Sequence, residues 1–148
     1  MKPDLSFLLG TWRGQGEGGY PSVEDFGYSE EMTFTDAGDG VLVYREQAWD
    51  AEGEPMHSEV GYLRALDDGS VDLALAYPFG VSEVMEGLVQ GTRLTLASTS
   101  VGVTTHGEPV TGLTRVIEVG NGSLEYETLV ATPKQTMTRH LRGTLTRV

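Results

Sequence analysis

GTWRGQGEGGYP, residues 10–21, holds five glycines, a tryptophan and a tyrosine in twelve residues. Such a stretch is either a phosphate-cradling loop or a strongly bent strand plugged by Trp12. A P-loop needs Gly-Lys-Ser/Thr at its end, and here Gly14 is followed by Gln15-Gly16, so that motif is excluded. Gly14, Gly16 and Gly19 form a loose G-x-G-x-x-G, but Pro21 and the polar segment 22–31 follow where a helix is required. The bent strand remains. Glycines let a barrel strand turn sharply and let a lid or ligand approach the backbone, and Trp12 then faces the interior at the closed end.

The rest of the chain reads the same way. Turn signals recur at Ala37-Gly38-Asp39-Gly40, Asp50-Ala51-Glu52-Gly53, Asp67-Asp68-Gly69-Ser70, Pro78-Phe79-Gly80 and Gly120-Asn121-Gly122. Between them lie VLVYREQAW (41–49), VDLALAY (71–77), RLTLAST (93–99), TRVIEV (114–119) and SLEYETLVA (123–131). In the second of these, Val71, Leu73, Leu75 and Tyr77 alternate with Asp72, Ala74 and Ala76, the period of a half-buried strand. The count is about ten strands at the spacing of roughly 8–12 residues that marks a sandwich or barrel. A long series of sequential antiparallel strands leaves edges that closure removes. The predicted fold is therefore all-β: an up-and-down antiparallel barrel in a single domain over residues 1–148, with room inside for a ligand. The one helix candidate runs from Asp4 to Leu9, with Asp4 as N-cap and Gly10 at its end; it would lid a barrel end.

Composition narrows the partners. The chain has 148 residues and a formal net charge of −12, which repels nucleic acid and anionic membranes. No cysteine is present, so disulfides, thiolate metal sites and a cysteine nucleophile are ruled out. The apolar run in MKPDLSFLLG (1–10) is too short for a secretory signal or a membrane span. A cytoplasmic protein is expected.

Three histidines are candidates for chemistry. His106, in TTHGE (104–108), reads as a solvent-exposed loop residue. His57, in PMHSEVGYLR (55–64), opens a strand, and His140, in MTRHLRGTLTRV (137–148), lies within the last one. No His-x-His or HExxH spacing occurs, so a multi-histidine zinc site has no support, whereas one histidine suffices for a haem iron. The carboxylates Glu17, Glu24, Asp25, Glu30, Glu31, Glu59, Glu83, Glu86, Glu125 and Glu127 are scattered and read by default as a solvated face, although a glycosidase pair needs only spatial proximity. Ser98 and Ser100 lack a G-x-S-x-G context.

Together these segments resemble the nitrobindins, haem proteins with a fatty-acid-binding-protein-like barrel. GTWRGQG (10–16) fits their GxWxGxG signature through Gly10, Trp12, Gly14 and Gly16. The match continues through GGYP (18–21), YSEEMTF (28–34), PMHSEVGYLR (55–64) and DDGSVDLALAYPFGVSEVMEG (67–87), and ends in HLRGTLTR (140–147). The resemblance implies one b-type haem per chain, with His140 as the proximal axial ligand of the iron. It implies haem contact at Ser22, which stands where relatives often carry Thr, and places Met56, His57 and Tyr77 with Pro78 around the pocket. It further implies a ferric resting haem that binds nitric oxide and isomerises peroxynitrite to nitrate, and often a homodimer. Arg45, Arg64, Arg139 and Arg142 become candidates for haem propionates or for relief of the negative field at the mouth.

Strand parity opposes one of these assignments. In strict alternation His140 shares a face with Thr138, Arg142 and Thr144, while Leu141 and Leu145 share the other. Hydrophobicity alone turns the leucines inward and His140 out. A bulge would rephase the strand; otherwise the leucines face a lid or a partner subunit. Two further readings stay open: a haem-free carrier of a fatty acid or other apolar ligand, which needs a cationic anchor deep in the cavity, and a barrel that has become an interaction module.

Overall fold

The computed structural model describes residues 1–20, 23–108, 111–132 and 135–148, with the side chains at 20, 23–24, 132 and 135–139 left aside. A 3₁₀ turn at Ser6–Leu8 leads into ten strands. They are β1 (Gly10–Tyr20), β2 (Val23–Gly38), β3 (Val41–Trp49), β4 (Pro55–Ala65), β5 (Ser70–Tyr77), β6 (Val81–Gln90), β7 (Arg93–Val103), β8 (Gly112–Gly120), β9 (Ser123–Thr132) and β10 (Gln135–Arg147). Each pairs with its sequence neighbour, and β1 closes on β10 in a single antiparallel barrel. The expected barrel is thus observed. The expected helix over residues 4–9 is shorter: Asp4 Oδ1 accepts from the Ser6 amide at 2.9 Å, and one 3₁₀ turn follows before β1 begins.

Two tight hairpins fix register at the closed end. Asp39-Gly40 (φ +56°, +77°) and Asn121-Gly122 (φ +54°, +76°) both have two left-handed residues, the type I′ geometry whose twist matches the flanking strands. The polar segment 22–31, read only as unsuited to a nucleotide loop, lies largely within β2, the longest strand at 16 residues. Its inward face is Phe26, Tyr28, Glu30, Met32 and Phe34, buried or partly buried, which hides the alternation behind polar outward neighbours.

The closed end is packed solid. Trp12, Leu8, Leu63, Val71, Met85, Leu94, Leu96, Leu124 and Leu145 are all essentially without solvent exposure. Trp12 donates its indole N–H to the Leu8 carbonyl at 2.9 Å, and the Arg147 guanidinium lies 4.4 Å from its ring centroid. The plug reading of Trp12 holds, with the 3₁₀ turn as its lid. Two signature glycines have a steric cause. A Cβ on Gly14 would strike the Thr144 carbonyl of β10, and one on Gly16 would enter the Tyr28 ring of β2. The first strand is glycine-rich because its neighbours occupy the space of its side chains.

Candidate functional site

The opposite end of the barrel is hollow. A cavity of about 320 Å³ opens there, within the range of pockets that bury small ligands. Its upper wall is apolar, from Phe26, Met56, Phe79, Leu113, Val130 and Leu141. Tyr77, Phe79 and His57 form a ring cluster, with Tyr77 stacked on Phe79 at 5.3 Å and His57 5.9 Å from Tyr77.

The floor is polar and buried. Arg115 Nη1 donates to Glu59 Oε2 at 2.6 Å, and Nη2 donates to the Tyr77 hydroxyl at 3.3 Å. Tyr77 in turn donates to Glu83 Oε1 at 2.5 Å; the other Glu83 oxygen accepts from Ser98. Glu59 Oε1 lies 3.1 Å from His57 Nε2. Across the floor, Tyr28 and Tyr126 share a hydrogen bond and Tyr126 donates to Glu30 at 2.6 Å. Glu46 hydrogen-bonds Glu30.

These groups set each other's protonation. Burial, the hydrogen bond to Glu30 and the negative Glu59 push the Glu46 carboxyl far above the carboxylate range, so at neutral pH it is protonated. Burial also raises Glu30; the pair holds one proton between two carboxyls. Burial would raise Glu59 too, but Arg115 and His57 outweigh it and hold it well below the usual value. Burial keeps the Tyr28, Tyr77 and Tyr126 hydroxyls protonated and available as donors.

His140 lines this cavity. The register of β10 against β9 slips between Arg139↔Leu129 and Leu141↔Thr128, so one extra residue, His140, is accommodated by a bulge. The bulge removes the parity conflict: Leu141 and Leu145 turn inward and His140 still faces the lumen. Inward leucines also withdraw the residues that had suggested a dimer face. Burial, then the nearby His57, lowers the His140 pKa to about 4, so its imidazole is neutral at pH 7, the form that ligates a metal.

Of the other site residues, Met56, His57 and Tyr77 line the cavity together with His140. Phe79 lines it where Pro78 was expected. Ser22 lies outside the described residues. His106 is exposed in the β7–β8 turn. Arg64 pairs with Asp72 and Arg142 with Glu17 on the outer surface, and Arg45 is exposed; the side chain of Arg139 lies outside the described set. The solvated-face reading fails for Glu30, Glu59 and Glu83, which are 3%, 8% and 1% exposed. Sequence reasoning missed Arg115 and Glu46 altogether. Strand parity holds the signal: Arg115 shares a face with Leu113 and Ile117, and Glu46 with Tyr44 and Ala48, all buried.

An apolar upper wall, with the neutral His140 beside it, suits a largely hydrophobic metal macrocycle. Residues 3–147 match the model of the THAP4-like, heme-binding beta-barrel domain. The chain belongs to that family. It is 39% identical to a peroxynitrite isomerase of Nocardia farcinica, covering 99% of this chain and 92% of the relative. It is 36% identical to peroxynitrite isomerase 1 of Rhodococcus jostii, covering 97% and 82%. The crystal structure of Rv2717c from M. tuberculosis superposes with a TM-score of 0.89 at 36% identity, over 97% of this chain and 94% of that one. Among the described residues, no helix is long and apolar enough to cross a membrane.

Proposed function

We propose that this family member is a peroxynitrite isomerase that binds one haem b per chain through His140, and that the ferric haem also binds nitric oxide. The observation that carries the reading is the β10 bulge, which turns a neutral, low-pKa histidine into an apolar cavity at the open barrel end. Met56, His57 and Tyr77 are assigned to the haem environment, as is Ser22.

When bound, the haem supplies a Lewis-acidic iron with an open position for an anion. The chain does the rest. His140 gives a neutral imidazole, because burial keeps its proton off at pH 7. Phe26, Phe79, Leu113, Val130 and Leu141 exclude water, which favours rearrangement to nitrate over escape of nitrating radicals. Glu59, itself fixed by Arg115, accepts from His57 Nε2 and orients the His57 ring in the cavity wall. Arg115 offsets Glu59, and the proton shared by Glu46 and Glu30 lessens the negative charge that an anion meets at the floor.

The fatty-acid carrier reading has one residue in its favour, the buried Arg115. Glu59, at 2.6 Å, already neutralises it, so it is a poor free anchor for a carboxylate. Stopped-flow mixing tests the enzyme reading: haem-loaded protein should accelerate peroxynitrite decay, yield nitrate and protect free tyrosine from nitration. A decay rate equal to that in buffer would leave a haem protein without this activity.

A further inference from the structure

A second set of potential metal ligands converges on the cavity, and none of them is the histidine assigned to iron. Glu46 of β3 sits directly opposite Glu59 of β4 in the ladder, and His57 is two residues before Glu59 on the same face. One ligand atom from each of the three lies within 4.8 Å of the other two. Glu46 and Glu59 are 7% and 8% exposed.

A separate observation points to a ligand. Glu46 Oε1 is buried at the cavity and has no hydrogen-bond partner among the described residues. Buried polar atoms normally have partners, and one without costs about 1–3 kcal/mol. A cation bound here displaces the proton that Glu46 shares with Glu30; the carboxylates of Glu30, Glu46 and Glu59 then exceed the one guanidinium, Arg115, by two charges, which a dication balances.

We propose that Glu46, His57 and Glu59 form a three-ligand site for a divalent transition cation of the Zn²⁺ type. Carboxylate oxygens and imidazole nitrogens bind Zn²⁺ at about 2.0–2.2 Å, which in a tetrahedron separates ligand atoms by about 3.3 Å. His57 Nε2 and Glu59 Oε1, at 3.1 Å, already have that spacing. The cation replaces the hydrogen between them, and Glu46 closes with a small side-chain adjustment. The second Glu59 oxygen stays on Arg115 Nη1, which fixes the carboxylate from behind as supporting partners do in metal sites. Three protein ligands leave a fourth position open to the cavity, the arrangement of a reactive metal centre and not of a closed structural one. One imidazole with two carboxylates suits Zn²⁺, Fe²⁺ or Mn²⁺ over thiophilic ions.

The test uses the whole chain, haem-free and haemin-loaded. Zn²⁺ binding is measured by calorimetry, and Co²⁺ as a probe by its visible ligand-field bands. One equivalent should bind in the haem-free chain. Glu46→Gln, close to isosteric, should weaken binding by more than the roughly 10- to 100-fold that loss of a mere supporting partner costs. His57→Gln should do the same and serves as the second variant if Glu46→Gln fails to fold by circular dichroism. His140→Ala should retain Co²⁺ binding with unchanged bands. Binding in the haem-free chain alone still supports the site and shows that haem and cation exclude each other. No stoichiometric binding to the wild type, or binding unchanged in Glu46→Gln and His57→Gln, overturns it, as does binding lost only in His140→Ala. Haemin uptake is read separately at the Soret band, so failure of this site and failure of the haem reading are distinguishable.

Discussion

Arg115→Met removes the only guanidinium that touches the cavity floor among the described residues and leaves Glu59 buried without its partner. The gross attraction lost is large: two unit charges 2.6 Å apart at an effective dielectric of about 20 attract by about 6 kcal/mol. Removing one partner of a buried pair is measured at about 3–5 kcal/mol, because the other charge stays desolvated. The expected loss is therefore about 3–5 kcal/mol at pH 7, read by urea unfolding of the haem-free protein. The pH dependence carries the sign. In the wild type Glu59 sits below its ordinary pKa, so the pair contributes fully above the unfolded carboxylate value and fades as pH falls through the folded one. In Arg115→Met the carboxyl instead rises above its ordinary value, so its penalty shrinks as acid protonates it. The gap between variant and wild type should narrow on going from pH 7 to pH 4. Glu59→Gln added to Arg115→Met should recover most of the loss, since the charge left uncompensated is then absent. A loss below about 1 kcal/mol, or a double variant no more stable than Arg115→Met, would refute the reading of the floor as a desolvated ion pair.

Trp12→Ala should cost about 3–5 kcal/mol in the same assay while leaving haemin affinity within a few-fold, because the plug and the cavity are at opposite ends; equal damage to both would contradict that separation. Gly16→Leu should fail to give a stable barrel, since its side chain would have to occupy the Tyr28 ring; a wild-type melting curve would count against the packing argument. His140 has a folded pKa of about 4 against an ordinary 6.5, so the unfolded chain binds its proton first. Haem-free stability should rise with pH between those values, with a slope of at most about 1.4 kcal/mol per unit from this group, and His140→Ala should flatten it. With a net charge of −12, the second-order rate of the haem-loaded protein with the peroxynitrite anion should increase with ionic strength; a decrease would imply a locally positive mouth.

Barrel, strand number and plug were legible because each rests on local signals. Tight-turn pairs such as Asp39-Gly40, the alternation Val71-Leu73-Leu75-Tyr77 and the glycines around Trp12 declare themselves within a few residues. The site was legible only in part. Met56 with His57, Tyr77 and His140 come from three separated places in the chain, and the resemblance, not spacing, brought them together. The orientation of His140 depends on a bulge that shows only in the pairing of β10 with β9. The buried floor was misread because a carboxylate on an inward face looks in one dimension like any surface acid. Glu30, Glu59 and Glu83 are tolerable inside only because Tyr126, Arg115, His57, Tyr77 and Ser98 meet them from other strands. Those are long-range pairings that no single segment encodes.

The proposed function requires His140 to hold a haem in the open end of the barrel. Titration of the purified haem-free chain with haemin, read at the Soret band beside His140→Ala, tests it most directly. The wild type should saturate at one haemin per chain with a histidine-ligated ferric spectrum, and the variant should lose that band or shift it to the position of unligated haemin. Identical spectra and affinities for the two proteins would contradict the claim.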